Sequence, residues 1–251
     1  MSLQVENVSL RFGGVSALSG VSFDARLDQI TSLIGPNGAG KTTLFNVVTG
    51  FLPPLQGNIL YEGESIVGLR PFQVARRGVV RTFQKTSVFP QVTVFDNVMI
   101  GLHMQGSAGI VEVLRGGRKV RQEEQRLCDR ADEIVELVNL GHRKDHLAGS
   151  LPYGEQRILE VAIALGARPR LLLLDEPAAG LNTGERQSLI RLINRVREQG
   201  ITVLLVEHDM RLVMGISDQV VCLDHGQVIA RGAPSEVQSH PEVIRAYLGS
   251  A

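Results

Sequence analysis

The stretch Gly35-Pro36-Asn37-Gly38-Ala39-Gly40-Lys41-Thr42-Thr43 constrains this chain more than any other segment. It fits G-x-x-x-x-G-K-[ST] and follows the apolar run Ile30–Ile34. Glycines let a backbone wrap closely around phosphate, with N–H groups pointing inward. A helix that opens on such a loop presents its N-terminus to the same anion. In this reading Gly35, Pro36, Asn37, Gly38, Ala39 and Gly40 form the cradle and Thr43 ends it. Lys41 reaches the β- and γ-phosphates, and the Thr42 hydroxyl ligates Mg2+. At average residue usage the four fixed positions coincide in a chain of this length about once in a hundred. Outside the loop the only lysines are Lys85, Lys119 and Lys144, and none follows an asparagine. The Asn-Lys-x-Asp element that reads guanine is therefore absent, and the cofactors expected are ATP and Mg2+. Adenine needs little more than an aromatic ring to stack on. Phe12 is the candidate, although its position equally suits a core residue at a strand end.

The rest of the pattern is that of an α/β protein. Leu3, Val5, Val8 and Leu10 form one alternating run, and Val21, Phe23, Ala25 and Leu27 a second. Both predict half-buried strands, paired antiparallel. Gly50 and Pro53-Pro54 stop the helix after the phosphate loop, and a short strand is expected over Asn58–Tyr61 before the turn at Glu62-Gly63. Helical spacing covers Phe95–Met104 and Glu124–Leu140, with a Gly- and Arg-rich surface excursion between them at Gln105–Arg121. A helix runs through Ile158–Leu165. Leu171–Leu174 and Thr202–Val206 are continuous apolar runs of the kind buried on both faces, joined by a helix over Glu185–Gln199. Strands Gln219–Leu223 and Gln227–Ala230 flank a turn, and helix Pro241–Leu248 follows.

Composition narrows the function classes. Lys+Arg and Asp+Glu both number 26, giving zero formal net charge, which argues against a general nucleic-acid binder. Cys128 and Cys222 lie far apart, with no metal-ligand spacing, so a reducing cytosol is expected. The first residues lack a basic start and an apolar core, so no signal peptide is expected. The apolar runs fall well short of the ~20 residues that a spanning helix needs.

Two further clusters carry chemistry. Leu171–Leu174 ends in Asp175-Glu176. A buried strand delivers Asp175 to the edge of the nucleotide pocket, where it can hold Mg2+ directly or through water. Glu176 points elsewhere and can polarise a water for attack on the γ-phosphate. Val203–Val206 leads into Glu207-His208-Asp209, which places His208 at the ligand edge of a parallel sheet.

Leu151-Pro152-Tyr153-Gly154-Glu155-Gln156 ends 19 residues before Asp175 and opens a helical pattern. It resembles the signature sequence of ABC ATPases, usually Leu-Ser-Gly-Gly-Gln. The resemblance spans nearly the whole chain: Phe12 at the adenine-stacking position, Gly35–Thr43 as phosphate loop, Gln84 as glutamine loop, Asp175 and Glu176 as strand acids, Ala179–Asn182 as the loop after them, His208 as switch histidine. It implies a phosphate-loop core with an N-terminal antiparallel β subdomain and an inserted helical subdomain. The core comprises 1–83 and 169–251, and the insertion about 84–168. It implies Glu176, His208, Gln84 and Lys41 in catalysis and Thr42, Gln84 and Asp175 at Mg2+. In ABC ATPases each domain closes its signature over the other's ATP. A head-to-tail dimer is thus implied, of two copies or with a homologous subunit, with Pro152, Tyr153, Gly154 and Glu155 reaching the partner's nucleotide.

More narrowly, Arg11-Phe12-Gly13-Gly14, Arg81-Thr82-Phe83-Gln84, Leu151-Pro152-Tyr153-Gly154, Val206-Glu207-His208-Asp209-Met210 and the closing Ala-Tyr-Leu-Gly are similar to the ATP-binding subunits of bacterial branched-chain amino acid importers. Those subunits sit on the cytoplasmic face of the inner membrane, bound to membrane-spanning permease subunits and served indirectly by a periplasmic or extracellular binding protein. Relatives for urea or amide uptake and for lipopolysaccharide export are alternatives. A nucleic-acid or ribosome ATPase is a further one, but Lys41 to Gly154 is only 113 residues, with no sustained heptads for a long coiled coil. Two positions depart from the common pattern. Pro152 replaces the usual signature serine and offers a phosphate neither hydroxyl nor N–H. Asn182 stands where most ABC ATPases have Asp, and its amide keeps one acceptor oxygen.

Overall fold

The computed structural model describes residues 2–82, 88–103 and 118–248. The chain divides into two compact units, one of Met1–Gln84, Arg170–Gly180 and Arg186–Ala251, the other of Lys85–Pro169 and Leu181–Glu185.

The first unit holds two sheets. Strands β1 (Leu3–Phe12) and β2 (Val15–Ala25) pair antiparallel, and β4 (Gln56–Tyr61) and β5 (Glu64–Ser65) extend the sheet in the order β2-β1-β4-β5. The uneven spacing of Leu3, Val5, Val8 and Leu10 has a structural cause. The ladder is irregular between Val5 and Val8, and Asn7 sits there at φ 50°. This bulge returns all four apolar side chains to the buried face. Leu27 departs from expectation: it lies beyond the end of β2 and is 56% exposed, because the chain turns at Asp28, where φ is 57°. The expected turn at Glu62-Gly63 has positive φ at both residues, as a two-residue hairpin of matching twist requires.

The second sheet runs β10-β9-β3-β8-β7-β6. Its strands are β3 (Ile30–Ile34), β6 (Val79–Arg81), β7 (Leu171–Asp175), β8 (Thr202–Val206), β9 (Gln219–Asp224) and β10 (Gln227–Gly232). Only the β9–β10 pair is antiparallel. Every residue of β3, β7 and β8 is buried, which explains their unbroken apolar sequences. Each fully buried aliphatic side chain there contributes roughly 1.5–3 kcal/mol of transfer free energy. Register matters most for function. Leu33 stands opposite Val206, and Val206 opposite Asp175, so three parallel strands end flush at one sheet edge. Helix α1 (Lys41–Val48) leaves that edge, and the short α2 (Pro71–Arg76) precedes β6.

The second unit is helical: α3 (Val94–His103), α4 (Arg118–Leu137) and α5 (Tyr153–Gly166). Helix α4 begins earlier than its apolar spacing suggests. It ends at Leu137 rather than Leu140, because Asn139 takes φ 60° and turns the chain out. Of the expected excursion Gln105–Arg121, residues 105–117 lie outside the described residues, whereas 118–121 are already helical. Helices α3 and α5 approach closely enough that a Cβ on Gly101 would stand 2.3 Å from the Ile163 carbonyl oxygen.

Helix α6 (Thr183–Glu198) links β7 to β8, and α7 (Met210–Ile216) precedes β9. After β10 come α8 (Pro234–Gln238) and α9 (Pro241–Leu248). No helix among the described residues is long and apolar enough to cross a membrane.

Candidate functional site

The phosphate loop joins β3 to α1 as its sequence demands. Gly35, Gly38 and Gly40 all take positive φ, at 144°, 83° and 103°. Two of them are also packed by backbone. A Cβ on Gly35 would fall 2.0 Å from the Leu223 carbonyl oxygen, and one on Gly40 2.7 Å from that of Ala17. Gly40 caps α1 without a side chain, and no acid lies in the first turn, so the first N–H groups of the helix remain for an anion. Lys41 is buried and folds back on its own loop, donating to the carbonyl oxygens of Gly35 at 2.7 Å and Pro36 at 2.9 Å. Burial pushes its ammonium below the usual lysine range, against the pull of Glu176, Cys222 and Asp175. A γ-phosphate would restore the charged form that burial disfavours.

The backbone N–H of Gly35 has a partner from the far end of the sequence. It donates to the Tyr247 hydroxyl of α9 at 2.8 Å. Burial pushes that phenol up to about 12.

At the end of β7, Asp175 is almost wholly buried and pairs with Arg81 of β6 at 2.7 Å. The Arg81 guanidinium also donates to Asn46 of α1 at 2.6 Å and lies over the Phe45 ring. Arg81 thus fixes the Asp175 carboxylate against the phosphate-loop helix. The other oxygen, Asp175 Oδ1, is buried with no hydrogen-bond partner among the described residues. An orphaned buried carboxylate oxygen is what a hard divalent cation takes, so the residues fit Mg2+.

Glu176 has φ 48°, the left-handed region, and its N–H is held by the Val206 carbonyl oxygen at 2.9 Å. Its Oε1 lies 2.9 Å from His208 Nε2. The structure therefore joins the two side chains expected to act on the γ-phosphate. Phe12 ends β1 and is 51% exposed, which removes the core reading and leaves an aromatic face available for stacking. Gln84 lies outside the described residues.

In the second unit, Pro152 is the N-cap of α5 and makes no side-chain cap. Tyr153 is 42% exposed, and its hydroxyl accepts from the buried Arg157 at 2.9 Å. Gly154 is buried because Glu185 fills the space beside it; a Cβ there would stand 2.6 Å from the Glu185 carboxyl group. Glu155 faces Arg143 at 3.2 Å. Asn182 accepts from the Glu185 N–H at 3.0 Å and donates its own N–H to Glu185 Oε2 at 2.9 Å. This reciprocal cap on α6 needs only one acceptor oxygen from residue 182, so Asn serves it as well as Asp.

Sequence reasoning missed Arg81, Glu207 and Tyr247. Arg81 closes a strand of three residues, too short for a period to mark it. Glu207 carried a weak signal, an acid directly after an apolar run. Tyr247 stood only in the closing Ala-Tyr-Leu-Gly, with nothing to link it to the phosphate loop.

Fold and loop define a phosphate-loop nucleotide-binding protein. The family profile described as "ABC transporter" matches residues 18–179, and one described as "Branched-chain amino acid ATP-binding cassette transporter" matches residues 227–251. The chain belongs to the ABC transporter family. It is 44% identical over 250 residues to the high-affinity branched-chain amino acid transport ATP-binding protein BraF of Pseudomonas aeruginosa, covering 99% of this chain and 98% of that one. It is 43% identical, with the same coverage, to LivG of Escherichia coli, which bears the same description. Among solved structures, a nucleotide-free ATP-binding cassette from an ABC transporter superposes with TM-score 0.86 at 32% identity, covering 99% of both chains. A cassette in its ADP conformation gives TM-score 0.86 at 31% identity, again over 99% of both chains.

Proposed function

We propose that this chain is the ATP-binding and ATP-hydrolysing subunit of a transporter that imports branched-chain or other hydrophobic amino acids. The observation that carries the ATPase reading is the 2.9 Å contact between Glu176 and His208 at the sheet edge that also holds the phosphate loop. Support for the cargo comes from relatives 43–44% identical over nearly the whole chain, whose names specify branched-chain amino acids.

The chemistry follows from the residues. The phosphate-loop N–H groups and Lys41 bind the β- and γ-phosphates, and Phe12 stacks on adenine. Glu176 accepts a proton from the attacking water, and His208 orients Glu176 and contacts the γ-phosphate. Thr42, Asp175 and Gln84 would hold Mg2+, which when bound neutralises developing charge on the phosphate oxygens. Pro152, Tyr153, Gly154 and Glu155 serve the nucleotide of a second cassette in a head-to-tail dimer, either a copy of this chain or a homologous subunit. Because Gly154 is filled by Glu185 and Glu155 is occupied by Arg143, that contact rests on the backbone and dipole at the start of α5. The dimer docks on membrane-spanning permease subunits at the cytoplasmic face, and an external binding protein supplies the cargo.

Capture from membranes tests this reading, followed by reconstitution of the captured complex. A co-purifying multi-span permease and ATP hydrolysis stimulated by leucine, isoleucine or valine with the binding protein are expected. Stimulation by urea or amides alone would reassign the cargo. Capture of ribosomes or nucleic acid without a permease would overturn the transport reading.

A further inference from the structure

Glu207, the residue after β8, is 3% exposed. Burying a carboxylate is costly unless hydrogen bonds replace its hydration. Here backbone N–H groups replace it. Oε1 accepts from Ala178 at 2.7 Å, and Oε2 accepts from His208 at 2.9 Å and Asp209 at 3.4 Å. These N–H groups belong to two different loops. Ala178 lies two residues after Glu176, in the loop that leaves β7; His208 opens the loop that leaves β8. One buried carboxylate therefore bridges the two segments whose side chains meet at 2.9 Å.

We propose that Glu207 is a positioning residue for hydrolysis, setting the separation and register of Glu176 and His208 through their backbones. The inference rests on the ATPase reading above. Glu176 needs such support, since a non-glycine residue at φ 48° persists only where its surroundings over-determine it. Its own N–H is anchored to Val206, and the Ala179 N–H returns to the Glu176 carbonyl oxygen at 3.1 Å. Ala178, between those anchors, depends on Glu207. Only a carboxylate serves both sides, because each oxygen must accept. Glutamine keeps the shape but turns an N–H donor toward one of the backbone N–H groups.

The test uses Glu207→Gln and Glu207→Ala in the full chain, assayed within the reconstituted transporter, with ATP affinity measured separately by nucleotide titration. Glu207→Gln should lower kcat at least tenfold while KM and ATP affinity stay within twofold. Glu207→Ala should lose at least as much. In a Glu176→Gln background, Glu207→Gln should add less than twofold, since the two residues act through the same step. Native kcat in Glu207→Gln would overturn the inference. So would parallel losses in kcat and ATP affinity, which mark general distortion of the fold. If Glu207→Ala does not fold, the isosteric Glu207→Gln alone decides. Absence of hydrolysis by the unmodified protein would instead overturn the ATPase reading, so the two failures are distinguishable.

Discussion

Tyr247→Phe removes one oxygen atom and tests how the end of the chain supports the phosphate loop. The Tyr247 hydroxyl accepts the Gly35 N–H at 2.8 Å, and Gly35 is buried at the close of β3. Phenylalanine keeps the ring and its packing but leaves that donor without its acceptor. A buried donor left unpaired costs about 1–3 kcal/mol. The Tyr247 residue as a whole is 39% exposed, so water reaches part of the gap and about 1–2 kcal/mol is the expected loss. For a domain of this size that lowers Tm by roughly 2–8 °C. Thermal unfolding of the purified chain without nucleotide measures it. Alkaline pH supplies a second reading. The Tyr247 phenol is raised from 10.0 to about 12, so between those values the unfolded chain has lost a proton that the folded chain still holds. Stability from this group is full below 10.0 and falls as pH rises toward about 12. Tyr247→Phe should lose stability less steeply across that window. A variant with native Tm and a native alkaline slope would exclude a stabilising bond from the Gly35 N–H to Tyr247.

Other expectations follow from the same structure. Burial lowers the Lys41 pKa from 10.5, so ATP affinity should begin to weaken with rising pH below that value, whereas Lys41→Arg should stay flat there; affinity of the native chain that is level up to 10.5 would contradict this. In the nucleotide-free protein the sign is opposite: below 10.5 the unfolded chain binds more protons at this site, so its contribution to stability rises with pH. Gly101→Ala would place a Cβ 2.3 Å from the Ile163 carbonyl oxygen and push α3 from α5, costing about 1–3 kcal/mol, and an unchanged unfolding midpoint would exclude that close crossing. Asn182→Asp keeps the acceptor that caps α6, so denaturant unfolding should shift by less than about 0.5 kcal/mol, and a larger shift would mean that the amide has another partner.

The parallel core was legible because three strands are buried on both faces and therefore read as uninterrupted apolar runs. The phosphate loop was legible because positive φ and close backbone approach leave glycine as the fitting residue at Gly35 and Gly40. Short elements were not. Helix α2 and strand β6 span too few residues for a period to emerge, and α7, capped by Asp209, has only 7 residues. Within the site, Asp175, Glu176 and His208 announced themselves by following apolar runs. Their supports did not. Arg81 and Tyr247 reach the site from 94 residues before Asp175 and 212 residues after Gly35, and such separations leave no local pattern. Glu207 was visible as an acid, but its role depends on an N–H across the sheet edge that only the fold brings near.

Hydrolysis by this chain turns most directly on Glu176 as the base that activates water. Phosphate release by Glu176→Gln, measured beside its ATP affinity, decides it. Glutamine keeps the shape and the approach to His208 but cannot accept a proton. The expected result is native ATP affinity with hydrolysis slowed at least about a hundredfold, the lower end of general-base catalysis. Hydrolysis at the native rate would exclude Glu176 as the base.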